Sequence, residues 1–143
     1  MSDRIILHGH PGVGPTVAGE ALVSRQGFSA RYDLNRQTGE FSRKAHDLYG
    51  QSVVGKILVH TTAKGGVATA WALLDMKARG VAPLGLIFQR TNPIMVQGAV
   101  LADLALLDDL APDPFTVIET GDFVRLDPAR GIAVVTKRAR CGV

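Results

Sequence analysis

Apolar and polar positions alternate between two regimes along the chain. Arg4-Ile5-Ile6-Leu7-His8 reads as a short extended run, stopped by Gly9, Pro11, Gly12, Gly14 and Pro15. Val17 to Ser24 carries apolar residues around a polar Glu20 and predicts a strand, with Gly19 as a bulge position and Glu20 facing solvent. Phe28 to Leu34 and Glu40 to Ser42 flank Asn35-Arg36-Gln37-Thr38-Gly39, the pattern of a hairpin. In the middle, Lys56 to His60 is a compact apolar strand, and Thr61 to Gly66 reads as a loop. Val67, Ala70, Trp71, Leu74 and Ala78 then recur at helical spacing, which predicts a helix with Trp71 on its core face. Gly80 and Pro83 end that helix, and Leu84 to Phe88 forms a second buried strand. Strand, loop, helix and strand make a βαβ unit with parallel strands.

A polar loop, Gln89-Arg90-Thr91-Asn92, precedes Pro93, which opens a helix over Ile94 to Leu101. Phe115 to Ile118, Phe123 to Leu126 and Ile132 to Thr136 read as late strands, the last two joined by the turn Asp127-Pro128-Ala129-Arg130-Gly131. The expected fold is α/β: mixed β structure around a central βαβ unit. The expected organisation is a single domain over 1–143 with a flexible tail after about residue 136.

Composition narrows the function. The 143 residues are 46% hydrophobic and 20% charged, enough apolar content for a sizeable core. Aromatics at 6% and a net charge of +3 argue against a nucleic-acid partner. No bilayer-length apolar run and no signal-peptide pattern is present, so a cytoplasmic protein without membrane contact is expected. Cys141 is the single cysteine, and His8, His10, His46 and His60 show no ligand spacing. No metal or cofactor is therefore expected in this chain.

Candidate chemistry gathers between the first central strand and its helix. Lys64 supplies positive charge, Gly65 and Gly66 allow close backbone approach, and Thr61 and Thr62 supply hydroxyls beside a helix N-terminus. That inventory suits a carboxylate or phosphate, or equally a tight turn with a solvated lysine. Arg90, in the polar loop after the neighbouring strand, can clamp a second anionic group or pack its stem on the surface, while Asn92 can cap the next helix or join the pocket. His46-Asp47 suggests acid–base work, although consecutive side chains rarely face each other.

Gly19-Glu20-Ala21-Leu22-Val23-Ser24, Phe28-Ser29, Thr38-Gly39 and the run His46-Asp47-Leu48-Tyr49-Gly50-Gln51-Ser52-Val53-Val54-Gly55-Lys56-Ile57-Leu58-Val59 follow a recognisable order. Lys64-Gly65, Leu73-Leu74, Gly80-Val81-Ala82-Pro83, Pro93-Ile94 and Gly98-Ala99 continue it. Together they resemble the aconitase X swivel domain family, the small subunit of aconitase X-type dehydratases. The resemblance implies a swivelling β/β/α domain and a large catalytic subunit as partner, with an iron–sulfur cluster expected in that partner. It implies a hydro-lyase acting on a small anionic hydroxy acid, known members using mevalonate 5-phosphate or cis-3-hydroxy-L-proline. Family loops commonly read Ser-Gly-Lys-Gly-Ser-Ser and supply a serine base; here the loop reads Thr62-Ala63-Lys64-Gly65-Gly66-Val67, without the paired serines. Ala30-Arg31-Tyr32-Asp33 also departs from the family's tryptophan-glycine segment, where substrate selection would be expected. The resemblance thus points to Thr62 and Lys64 as catalytic candidates and to Gly65, Gly66, Thr69, Ser52, Arg90 and Asn92 as substrate contacts, with Thr62, Thr69 or a residue of the partner as alternatives for the missing serine base. A rival reading, prompted by the missing serines, is a non-catalytic binding or scaffold module.

Overall fold

The computed structural model describes residues 4–24, 34–35, 38–42, 48–62, 67–90 and 93–137. Nine strands are described: β1 Arg4–His8, β2 Val17–Val23, β3 Leu34–Asn35, β4 Glu40–Phe41, β5 Lys56–Thr62, β6 Gly85–Arg90, β7 Ala105–Asp108, β8 Phe123–Asp127 and β9 Ile132–Thr136. The helices are α1 Val67–Ala78, α2 Pro93–Leu101 and the one-turn α3 Pro114–Val117. Seven strands form one sheet in the order β1-β9-β8-β2-β5-β6-β7, and β3 pairs with β4 separately. The sheet changes character at β2, which is antiparallel to β8 but parallel to β5. From there β5, β6 and β7 run parallel, joined by α1 and α2 as crossovers, as the βαβ pattern requires.

Strand alternation sorts the core into two layers. Ala21, Ile57, Val59, Ile87, Ala105 and Leu107 point inward to meet Leu7, Val124, Leu126, Ala133 and Val135 from the antiparallel strands. Leu22, Leu58, Leu86, Phe88 and Leu106 point the other way, under Ala72, Leu73 and Met76 of α1 and Met95 and Ala99 of α2.

The sheet's two outer strands are brought together by the chain leaving β1. His8 N–H donates to Ala111 O at 2.9 Å and Ala111 N–H to His8 O at 2.7 Å. Val13 and Leu106 exchange a second pair at 3.1 and 2.9 Å. These two bridges tie the segment after β1 to Leu106 of β7, and β1 to the turn after β7, so the outer side of β7 is partly covered. Glycine makes this approach possible: a Cβ on Gly12 would overlap the carbonyl oxygen of Leu106, and one on Gly14 that of Leu104.

Several expectations need correction. In place of a strand over Phe115 to Ile118, residues Pro114–Val117 form a helical turn, because Asp113 caps it and Pro114 presets its first position. β7 has no counterpart in the pattern reading, because Leu-Ala-Leu-Leu-Asp directly after a helix carries no period that separates strand from helix. Gly19 is not a bulge: it pairs in unbroken register with Val124. Its missing side chain leaves room for Gly55 O and Leu84, each 2.9 Å from where a Cβ would stand. Trp71 is not core: α1 buries Ala72, Leu73 and Met76, and the indole lies on the outside. Phe28 to Asp33 lies outside the described residues.

Candidate functional site

The carboxyl ends of β5 and β6 carry the site, because side chains there project past the sheet toward the start of each crossover helix. Thr61, Thr62, Gln89 and Arg90 do not form the loops that their polarity suggests. They instead extend the two strands, and Thr62 pairs in register with Arg90. Parallel partners share a face, so both side chains stand on the helix side of the sheet, one strand spacing (~4.8 Å) apart. Both are exposed. The sequence reading places both residues in two neighbouring polar loops; here they are instead the last residues of two paired strands.

The row beneath them is dry. His60 pairs in register with Phe88, and both are fully buried. The two ring centroids are 6.2 Å apart, and the ring of Phe41 stands 6.1 Å from that of His60. A buried imidazole in contact with two phenyl rings thus precedes Thr62 by two residues on the same face of β5. The sequence pattern does not single out His60, since one histidine in an apolar strand carries no ligand spacing. The alternation Leu58, His60, Thr62 is the signal that could have placed it.

On the opposite face, Gln89 is held. Its Nε2 donates to Asp113 Oδ1 at 3.0 Å and Oδ2 at 3.1 Å, while Asp113 Oδ1 accepts from Phe115 N–H at 3.0 Å. This brace ties the end of β6 to the turn after β7. With Gln89 engaged on one face, alternation sends Arg90 to the other.

Other candidates sit elsewhere. Ser52 is half-buried, bridges Glu40, and accepts a hydrogen bond from Val54 N–H at 3.2 Å, so its hydroxyl serves a local turn beside β4. Lys64, Gly65, Gly66 and Asn92 lie outside the described residues, as do His46, Asp47 and Cys141; Thr69 lies in the first turn of α1. Among the described residues no three His, Cys, Asp or Glu side chains are grouped to hold a metal ion. A cluster that takes several thiolates does not fit a chain with one cysteine. Among the described residues no helix is long and apolar enough to cross a membrane.

Comparison with known proteins bears on this arrangement. The chain matches the aconitase X swivel domain over residues 6–135. It is 32% identical to the phosphomevalonate dehydratase small subunit of Methanocella arvoryzae, over 88% of this chain and 96% of that one. It is 34% identical to the corresponding subunit of Methanopyrus kandleri, over 82% and 87% respectively. The crystal structure of Thermococcus kodakaraensis aconitase X in its holo form superposes with a TM-score of 0.85 at 30% identity, covering 92% of this chain and 98% of that one. The sheet that changes from antiparallel to parallel at β2, the two crossover helices and these matches agree, and the chain belongs to the aconitase X swivel domain family.

Proposed function

We propose that this chain is the small subunit of a dehydratase that removes water from a small anionic hydroxy acid, completing its active site against a larger subunit. The observation that carries the reading is the Thr62–Arg90 register pair at the ends of parallel strands, in a chain of this family. Arg90 offers a planar fork that can hold a carboxylate or phosphate through two hydrogen bonds. Thr62 offers a hydroxyl one strand away, able to contact the substrate or pass a proton. Lys64, Gly65 and Gly66 follow Thr62 in the sequence and are assigned to the same anionic substrate as a cation and backbone donors, with Thr69 and Asn92 as further candidate contacts. An iron–sulfur cluster in the larger subunit supplies the Lewis acid that activates the departing hydroxyl. The names of the relatives favour a phosphorylated hydroxy acid such as phosphomevalonate as the substrate class.

The experiment is reconstitution. The chain and its cognate large subunit are purified separately and mixed, and dehydration of phosphomevalonate is followed by mass spectrometry. The chain alone should be inactive and the complex active. Arg90→Ala in the complex should lower kcat/KM about 10- to 100-fold, the scale of a lost charge-assisted pair. Turnover by the isolated chain, or an Arg90→Ala complex as active as the parent, would refute the assignment. The absence of hydroxyls at Gly66 and Val67 supports a second reading, a binding module without chemistry. A complex that forms but dehydrates neither phosphomevalonate nor cis-3-hydroxy-L-proline would favour that reading.

A further inference from the structure

We propose that Trp71 and the outer stripe of α2 form the surface on which the larger subunit seats. This rests on the two-subunit reading above and adds to it where the contact lies. Trp71, the one tryptophan of the chain, is 60% exposed. On α2, Ile94 is 37% exposed, and Val100 and Leu101 are each 55% exposed. The nine residues of α2 include no charge at all, in a chain that is 20% charged. Its inner side is equally apolar, with Met95, Gly98 and Ala99 buried. On the exposed side only Gln97 is polar, so the helix is more apolar than a solvent-facing helix normally is, and only half of it is buried in this chain.

Position decides the occupant. α1 and α2 pack against each other, and each begins where a parallel strand ends, α1 after β5 and α2 after β6. Ile94 is the second residue of α2 and Trp71 the fifth of α1, so both lie at the end of their helices that adjoins the Thr62–Arg90 rim. A subunit that brings substrate to Arg90 must approach that rim. The rim itself is polar and offers little apolar area to bury, whereas stable contacts are anchored by buried aromatic and aliphatic side chains inside a polar border. Trp71 and Ile94 supply such anchors beside the rim, and Val100 and Leu101 continue them along α2. A second copy of this chain on the same face would cover the rim and exclude substrate, so the larger subunit is the occupant.

The test uses the sole tryptophan. 5-Fluorotryptophan placed in this chain gives one fluorine resonance, which the unlabelled large subunit should shift and protect from the solvent isotope effect. Trp71→Ser and Val100→Glu should each weaken complex formation at least about 10-fold by titration calorimetry. Phe123→Ser, which removes an equally exposed aromatic on the antiparallel side of the sheet, should leave affinity unchanged. An active complex whose fluorine resonance stays solvent-accessible overturns the proposal and leaves the function standing. A resonance that shifts with concentration in the isolated chain indicates self-association and also overturns it. Failure to form any complex removes the two-subunit reading itself.

Discussion

Thr62 and Arg90 are register partners at the carboxyl ends of β5 and β6, and they face the same side of the sheet. The backbone fixes that pairing, so each side chain can be changed without moving the other. Thr62→Val keeps the β-branched shape that suits a strand and deletes only the hydroxyl. In the reconstituted complex it should lower kcat about 10- to 100-fold with KM little changed, while Thr62→Ser retains most activity. Steady-state kinetics on the three proteins check this. Equal loss in the serine variant would show that the methyl group, not the hydroxyl, matters.

Asp122 is nearly inaccessible and accepts hydrogen bonds from Lys137 Nζ at 2.6 Å and Glu119 N–H at 2.8 Å. Lys137 Nζ also donates to Val117 O at 2.6 Å. Removing the carboxylate leaves the ammonium and a backbone N–H poorly satisfied. Asp122→Ala should cost about 3 kcal/mol, and chemical denaturation should show it. The exposed Glu20–Lys56 pair, at 3.2 Å, is the contrast: Glu20→Gln should cost under about 1 kcal/mol.

Gly12→Ala should be destabilising by more than about 2 kcal/mol, because the added methyl meets a backbone carbonyl that cannot swing aside. Hydrogen exchange should localise the damage, with faster exchange at the amides of Val13 and Leu106. Unchanged protection there would mean that the junction tolerates a Cβ.

Asp113→Ala should cost about 1 kcal/mol through loss of the cap on α3, and it also releases Gln89. If the brace orients Arg90, the variant should raise KM for the anionic substrate more than it lowers kcat. Asp113→Asn, which keeps an acceptor for Phe115 N–H, should recover stability.

Much of this architecture is legible in the chain itself. The extents of β1 and β9, the α1 crossover, the helix α2 and the parallel β5–β6 pair follow from apolar runs punctuated by glycine and proline. Strand ends are less legible: Thr61, Thr62, Gln89 and Arg90 are polar and so resemble loop, yet pairing with a neighbouring strand carries them two residues further. Trp71 misleads because size and hydrophobicity argue for burial, while the sheet below α1 is already filled by Ala72, Leu73 and Met76. Asp113-Pro114 is a readable helix start that the apolar residues after it obscure. His60 escapes because its meaning depends on Phe41 and Phe88, which reach it from other parts of the chain.

The bridges Val13–Leu106 and His8–Ala111, near the two ends of the sheet, have a consequence for the free chain. Where these bridges lie, the backbone at the outer side of β7 is already engaged, so less of that rim is open to a foreign strand seeking to knit on.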